Sequence, residues 1–312
     1  MKNILITGGA GNIGSSLADE LSQRDMYNIT IVDNLSTGKL EKIPIRDNIN
    51  FIKADANSFN DMMSIMNSER FDYVFHYAAI VGVRRTLENP ISVLNDINGI
   101  RNILTLSKNS GVKRFFYSSS SEVYGEPFEH PQNENTTPLN SRLPYAIVKN
   151  VGEAYCRSMH LEHHLDYNIF RFFNTFGPNQ SEDFVLPKFL KSALRNEDIT
   201  IYGLGQQTRT FCYISDNINA TLKVLDNEKY SNQTFNLGSD FEINILDLAK
   251  LIIKITNSKS KLIFLPELKE GDMTRRRPDN KKMKNLLNKE LITLEEGILK
   301  LINSYESSFK KE

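Results

Sequence analysis

The chain has 312 residues, 40% of them hydrophobic, which is enough for one large domain or for a domain with a smaller partner lobe. Its 38 basic and 38 acidic residues cancel, which argues against nucleic acid as the main partner. Two cysteines are too few for a disulfide framework, the chain starts in a strand pattern without a signal peptide, and no apolar run reaches membrane-spanning length, so we expect a soluble cytoplasmic protein without a membrane partner.

The first predicted element is a buried parallel strand at residues 4–6, followed directly by a glycine-rich run over residues 8–14. Gly8 allows a tight turn, Gly11 lets the backbone approach a diphosphate, and Gly14 lets the next helix pack against the strand. The N-terminus of that helix, predicted from Ile13 to Arg24, points backbone donors and a positive dipole end at an anion. The pattern predicts a dinucleotide site.

A second predicted strand, residues 28–32, ends on Asp33. An acidic residue at this spacing accepts hydrogen bonds from a ribose 2′-hydroxyl. Its carboxylate would repel the 2′-phosphate of NADP, and no arginine follows it in residues 34–38. The sequence therefore predicts NAD as the cofactor.

Strand and helix patterns then alternate, which predicts an α/β fold with a doubly wound parallel (Rossmann) sheet. Further strands are predicted at residues 50–55, 72–76, 115–118 and 167–172, and further helices at residues 95–110 and 145–162. After Gly177-Pro178 the alternation ends, which indicates a smaller C-terminal α/β lobe over the carboxyl edge of the sheet. We predict an NAD-binding domain over residues 1–176, with 208–240 returning to it, and a mainly substrate-binding lobe over 177–312.

Tyr145 and Lys149 lie four residues apart, so a helix places both side chains on one face. A nearby ammonium and a bound nicotinamide cation favour the phenolate, so we expect the pKa of Tyr145 to fall. A phenolate there could remove a hydroxyl proton while hydride leaves the same carbon. A run of serines, residues 118–121, stands at the carboxyl end of a predicted strand and would face the same crevice.

These motifs resemble, in their order and along nearly the whole chain, the extended short-chain dehydrogenases/reductases, in the branch of nucleotide-sugar epimerases, dehydratases and decarboxylases. The resemblance rests on Thr7 to Gly14, Asp33-Asn34, Asp55, His76 to Ala79, Ser118 to Gly125, Tyr145 with Lys149, Arg171 to Pro178, and Gly203 to Phe211. It implies an NAD-dependent enzyme that acts on a nucleotide-diphosphate sugar. The predicted helices 95–110 and 145–162 resemble the pair that forms a four-helix interface in this family, which implies a homodimer.

The resemblance also implies roles for matching residues. Ser120 and Tyr145 match the catalytic hydroxyl and the acid–base, Lys149 matches the residue that holds the nicotinamide ribose, and Glu122 is the fourth catalytic candidate. The residues expected to contact NAD are Gly8, Gly11, Asn12, Ile13, Asp33, Asn34, Asp55, Ala56, Tyr77, Ala78, Ala79, Asn95, Ser118, Tyr145, Lys149 and Phe172. The residues expected to contact the substrate are Arg84, Ser120, Asn174, Leu186, Phe189, Tyr202, Arg209, Arg275 and Arg276, and we predict no metal site.

Three reactions of the family begin alike, with oxidation at C4 of the sugar. Glu122 stands two places after Ser120, as in 4,6-dehydratases and uronate decarboxylases, and could act as acid or base near C5. Ser121 stands where dehydratases that pair Asp with Glu have Asp, and residues 80–90 and 145–149 resemble epimerases. The favoured prediction is a 4-epimerase of a UDP-hexose or UDP-N-acetylhexosamine; the alternatives are a 4,6-dehydratase, then a UDP-uronate decarboxylase, and last a non-catalytic NAD-binding sensor.

Overall fold

A computed structural model of the chain describes residues 1–126, 128–267 and 274–309, and for Val83, Arg84 and residues 306–309 it describes the backbone alone. The strands are β1 (Lys2–Thr7), β2 (Tyr27–Asp33), β3 (Ile49–Lys53), β4 (Tyr73–His76), β5 (Arg114–Ser120), β6 (Asp166–Phe172), β7 (Thr175–Phe176), β8 (Ile199–Tyr202), β9 (Thr208–Thr210), β10 (Cys212–Tyr213), β11 (Gln233–Leu237), β12 (Glu242–Asn244) and β13 (Leu262–Leu265). The α-helices are α1 (Asn12–Ser22), α2 (Phe59–Ser68), α3 (Val83–Glu88), α4 (Pro90–Ser110), α5 (Pro144–His163), α6 (Val185–Leu194), α7 (Ile214–Leu225), α8 (Ile245–Thr256), α9 (Lys281–Leu287) and α10 (Leu294–Phe309).

Seven of these strands form one parallel sheet, in the order β3-β2-β1-β4-β5-β6-β11. The central strands are buried, as expected for a parallel sheet whose two faces are covered by helices. The strand order reverses between β1 and β4, and ligands of open α/β sheets bind at the carboxyl ends of the strands at such a switch point. The predicted doubly wound fold is confirmed.

The chain leaves the sheet after β6 and returns to it with β11, which pairs in parallel with β6. Between and after these strands, short two-stranded sheets (β8 with β13, β9 with β12) and the helix pair α6 and α8 form a smaller lobe. A single cluster of buried apolar side chains runs from Ile4 in β1 to Leu301 in α10. The lobe and the sheet therefore share one core, which holds the two walls of the crevice together.

Element boundaries differ from the predictions where tertiary pairing or a first-turn proline decides them. Helix α4 begins at Pro90 rather than at residue 95, because proline is tolerated in the first turn of a helix. Strand β5 continues to Ser120, beyond the predicted end at residue 118, because residues 118–120 pair with residues 170–172 of β6. The first three serines of the run thus end a strand, and Ser121 begins the turn that follows it. Within the described ranges, none of the helices has both the length and the apolar character needed to cross a membrane.

Candidate active site

A cleft of about 520 Å³ opens at the carboxyl ends of the strands and is lined by both lobes. The predicted NAD-binding residues that line it are Gly8, Gly11, Asn12, Ile13, Asp33, Asn34, Asp55, Ala56, Tyr77, Ala78, Ala79, Asn95, Ser118, Tyr145 and Phe172. Lys149 lies just beneath this lining and is buried. The predicted substrate residues Ser120, Asn174, Leu186 and Arg276 also line the cleft.

Close backbone approach explains the glycines at the start of the cleft. Gly8 has a φ of +71°, and a Cβ atom there would lie 2.5 Å from the backbone nitrogen of Ala78. A Cβ atom on Gly14 would lie 2.4 Å from the carbonyl oxygen of Gly8. In the described part of the chain no side chain caps α1, so its first backbone N–H groups remain available to an anion.

The carboxylate of Asp33 is fixed at the end of β2 by two backbone donors. The amide of Ala10 donates to Oδ2 at 3.0 Å and the amide of Leu35 donates to Oδ1 at 2.8 Å. Each oxygen retains a further lone pair. A ribose hydroxyl can donate to this oriented carboxylate from the cleft, which Asp33 lines.

The hydroxyl, phenol and ammonium groups of the predicted catalytic set come from β5 and α5. The Ser120 Oγ accepts a hydrogen bond from the Glu122 amide at 3.2 Å and starts the 3-10 turn over residues 121–124. One helical turn after Tyr145, the Lys149 Nζ donates to the carbonyl oxygen of Ser118 at 2.7 Å and lies 5.7 Å from the centroid of the Tyr145 ring. Sequence spacing on α5 and the end of β5 together produce this arrangement.

The expected fall in the pKa of Tyr145 is wrong for the chain on its own. Burial raises the pKa of Tyr145, and the negative charge of Glu122 raises it further, whereas the hydrogen bond with Ser120 lowers it. Neither burial nor the position of Glu122 was visible in the spacing of Tyr145 and Lys149. The phenol is therefore protonated in the free chain, and positive charge brought by a ligand is needed to favour the phenolate.

Glu122 and Arg276 form an ion pair in the cleft, with 3.5 Å between Oε1 and Nη1. Their side chains are only 18% and 6% exposed, so both charges are largely removed from water. The Nε of Arg276 is buried, and within the ranges that the structure describes it has no hydrogen-bond partner. A buried donor without a partner costs free energy, and an anionic ligand that accepted a hydrogen bond from Arg276 would remove this cost.

A second buried network lies behind the serine run. Both carboxylate oxygens of Glu153 accept from Arg171, at 2.8 and 2.7 Å, and Ser119 donates to Oε1 at 2.7 Å. Arg171 also donates to the hydroxyl of Tyr124 at 2.8 Å, in the turn that carries Glu122. The network ties α5, β5, β6 and this turn together. Sequence analysis missed Glu153, although it lies four residues after Lys149 on the same helix face.

His76 and Asp96 also line the cleft and were not predicted as site residues. Burial lowers the pKa of His76 to about 3, so the ring is neutral, and its Nδ1 lies 2.8 Å from the Thr7 Oγ1. Asp96 accepts a hydrogen bond from the amide of Ile80 at 2.8 Å. His76 is thus a buried hydrogen-bonding group rather than an acid for the reaction.

Several predicted substrate residues do not line the cleft among the described residues. Phe189 is buried in the core of the lobe, Tyr202 is exposed, and Arg209 is buried and donates to the carbonyl oxygen of Thr208. Arg275 turns away from the cleft and binds Glu242. The side chain of Arg84 lies outside the described residues. Substrate contacts of these five residues remain predictions.

Comparison with known proteins identifies the family. A profile described as the NAD dependent epimerase/dehydratase family matches residues 4–238. The chain belongs to this family. It is 37% identical over 299 residues to the UDP-N-acetyl-alpha-D-glucosaminuronate decarboxylase of Bacillus cytotoxicus, which covers 91% of each chain.

Solved structures agree with this assignment. The UDP-glucose 4-epimerase of Thermotoga maritima with UDP-glucose has a TM-score of 0.92 at 32% identity, over 98% of this chain and 99% of that one. The UDP-glucuronic acid 4-epimerase of Bacillus cereus, in complex with UDP-glucuronic acid and NAD, has a TM-score of 0.88 at 28% identity, over the same shares. The chain is therefore an enzyme of the epimerase/dehydratase family, with NAD as its cofactor.

The residues of this family member fit NAD. The glycine cradle leaves room for a diphosphate, Asp33 offers acceptors to a ribose, and Lys149 and Tyr145 stand together at the inner end of the cleft. When bound, NAD supplies a hydride acceptor for the oxidation of a substrate carbon. The residues of the chain supply the binding contacts and the proton transfer.

We expect Lys149 to make stability depend on pH. Burial lowers the pKa of Lys149 to about 8, from 10.5. Between these values the unfolded chain holds a proton that the folded chain has lost, so the free energy of unfolding rises with pH through this window. Relative to Lys149→Met, the wild type should gain about 2 kcal/mol between pH 7.5 and 9.5 without NAD, as measured by urea unfolding. Parallel pH curves for the two proteins would contradict this.

Proposed function

We propose that this chain is an NAD-dependent decarboxylase of a UDP-hexuronate, which forms a UDP-pentose and carbon dioxide through a 4-keto intermediate. The observation that carries the proposal is the buried guanidinium of Arg276, paired with Glu122 in the cleft and retaining an unpartnered Nε among the described residues. A planar carboxylate fits the donors of a guanidinium. The name of the Bacillus cytotoxicus relative supports the same substrate class.

The first step is oxidation at C4. Tyr145 takes the proton of the C4 hydroxyl, while the hydride from C4 passes to the bound cofactor. The hydrogen bond with Ser120 stabilises the phenolate, since it lowers the pKa of Tyr145. Lys149, held on the carbonyl oxygen of Ser118, brings positive charge to the same place. The product is a sugar with a ketone at C4.

The second step is the loss of carbon dioxide. The ketone at C4 makes the C6 carboxylate a β-keto acid, so the C5–C6 bond can break with its electron pair passing to the C4 oxygen as an enolate. Arg276 would hold the carboxylate before this step. When Arg276 binds the substrate carboxylate, its ion pair with Glu122 breaks, and Glu122 takes up a proton from solvent. Glu122 would then donate this proton to C5. Return of the hydride to C4 and of the proton from Tyr145 to O4 completes the UDP-pentose, so one proton is consumed for each carbon dioxide released.

A 4-epimerase is the second candidate. With bound NAD as hydride acceptor, Ser120, Tyr145 and Lys149 suffice for oxidation and reduction at C4, and the two solved structures cited above are 4-epimerases, one of them with a bound uronate. A 4,6-dehydratase is less well supported because Ser121 stands where an acidic partner of Glu122 would be needed. A uronate, moreover, has no C6 hydroxyl to expel.

Product identification tests the proposal directly. Purified protein with added NAD is incubated with UDP-glucuronic acid, UDP-N-acetylglucosaminuronic acid, UDP-glucose and UDP-N-acetylglucosamine, and the products are analysed by mass spectrometry and NMR. We expect loss of carbon dioxide from at least one uronate and no change in the neutral sugars. Inversion at C4 without a change in mass would establish the epimerase, and loss of water the dehydratase. Binding of NAD without conversion of any sugar would overturn both the decarboxylase and the epimerase.

A further inference from the structure

Arg276 belongs to an extended segment, residues 274–278, which we name the arginine strap. At its start, the amide of Thr208 in β9 donates to the carbonyl oxygen of Thr274 at 3.0 Å, and residue 275 forms a bridge with residue 208. At its end, the amide of Gln132 donates to the carbonyl oxygen of Arg277 at 2.8 Å. The arginine strap therefore runs from the smaller lobe to the loop that contains Gln132, which follows the 3-10 turn over residues 121–124.

Successive side chains of an extended segment point to opposite sides. In the arginine strap this alternation separates the three arginines by partner. Arg275 and Arg277 both reach Glu242 on one side, while Arg276 between them reaches Glu122 in the cleft on the other. A contact that fixes the side chains of Arg275 and Arg277 on one side of the strap therefore also determines that the side chain of Arg276 points to the other side, toward the cleft.

Glu242 holds both neighbours. Its Oε1 and Oε2 accept from the Nε and Nη2 of Arg275, each at 2.6 Å, which is a bidentate pair. Its Oε2 lies 3.7 Å from the Nη1 of Arg277, and its Oε1 accepts from the Thr208 hydroxyl at 3.3 Å. Glu242 lies on β12, which pairs with β9, so its own position is fixed by the sheet.

The side chain of Glu242 is only 18% exposed, whereas those of Arg275 and Arg277 are 42% and 38% exposed. The hydrogen bond from Arg275 holds the pKa of the Glu242 carboxyl below its usual range, so the charge is present throughout the neutral range. One carboxylate of the lobe thus organises a segment that carries three positive charges.

We propose that Glu242 is a positioning residue for recognition of the uronate carboxylate: by binding Arg275 and Arg277 on one side of the arginine strap, it holds Arg276 toward the cleft on the other. This inference rests on the proposed function, because it assigns the carboxylate of the sugar to Arg276. Glu242 itself does not line the cleft.

The direction in which Glu242→Gln changes ligand affinity distinguishes a positioning role of Glu242 from a purely electrostatic one. Glu242→Gln removes a negative charge near the cleft, and that alone would make every anionic ligand bind more tightly. Loss of positioning acts in the opposite direction and only on a ligand that has a carboxylate. UDP-glucuronic acid and UDP differ in this respect, since UDP has no sugar carboxylate.

The test measures dissociation constants of UDP-glucuronic acid and UDP for the full chain loaded with NAD. All proteins carry Tyr145→Phe, so that the ligand stays intact. Glu242→Gln is compared with Asp240→Asn, which breaks the Asp240–Lys284 pair (2.8 Å) between the loop after β11 and α9 without touching the arginine strap. Each variant's thermal unfolding is recorded as a check on folding.

For Glu242→Gln we expect the dissociation constant of UDP-glucuronic acid to rise about fivefold, the size of one well-formed ion pair, while that of UDP stays the same or falls. The Asp240→Asn protein should resemble the parent for both ligands. Unchanged or tighter binding of both ligands to Glu242→Gln would overturn the inference, as would equal weakening of both. Failure of the proposed function is seen separately, as absence of carbon dioxide release by the wild type.

Discussion

Replacement of Tyr145 by phenylalanine should reduce turnover by about 10²- to 10⁴-fold and leave NAD binding intact. The variant keeps the ring, which packs with the buried residues behind β5, and removes the only atom that exchanges a proton with the C4 hydroxyl in the proposed reaction. Both the oxidation and the later reduction at C4 need this atom. The measurement is kcat with the substrate identified by product analysis, together with the dissociation constant of NAD.

A matched control is present on the same helix. Tyr155 lies further along α5 and packs against the same buried cluster, so Tyr155→Phe removes an equivalent hydroxyl away from the cleft. It should retain nearly full activity. If Tyr145→Phe turned over at a rate close to that of the wild type, the assignment of the acid–base would be lost, whatever happened to the control.

Replacement of Arg276 by methionine should weaken UDP-uronate binding by about 30-fold or more, with little change for UDP. Truncation of one partner of a buried charge pair costs about 2 to 5 kcal/mol, part of which reflects the charge left behind. In this variant Glu122 would lose its partner and would repel the incoming carboxylate. The measurement compares the dissociation constants of UDP-glucuronic acid and UDP.

The comparison of these two ligands distinguishes two roles for the same side chain. The sequence predicted only that Arg276 contacts the substrate; if it contacted the diphosphate instead of the sugar carboxylate, the binding of UDP and of UDP-glucuronic acid would weaken together. Arg276→Lys keeps the charge and loses the planar set of donors, so it should fall between the wild type and Arg276→Met for the uronate. The control is Arg46→Met, which removes an exposed arginine that is paired with Asp19 at the surface and should leave the binding of both ligands unchanged.

The parts of the site that the sequence predicted are those in which local spacing decides geometry. Tyr145 and Lys149 share a helix face because they are four residues apart, and Asp33 reaches the cleft because it ends the strand after the glycine run. Such relations depend only on helix and strand periods. The predicted dimer through α4 and α5 remains a prediction.

The parts that the sequence did not predict depend on the path of the chain through the lobe. Glu122 and Arg276 are 154 residues apart, and their contact follows from the course of the arginine strap between β9 and Gln132. The sequence proposed both Arg275 and Arg276 for the substrate, whereas alternation along the strap places only Arg276 in the cleft. The direction of the Tyr145 pKa was missed for the same reason, since burial and Glu122 both come from tertiary structure.

The late return of the chain to β11 affects how the protein can be made. Until residues 233–237 have been synthesised, β6 has no neighbour on its outer side, and its backbone donors and acceptors remain open. The apolar side chains of β6 are then exposed to other chains as well. A nascent or truncated chain that ends near residue 176 therefore has β6 as an unpaired edge strand. We expect copies of such a fragment to associate with one another rather than to form an independent NAD-binding unit. The segment between β6 and β11 thus also delays completion of the sheet that binds the cofactor.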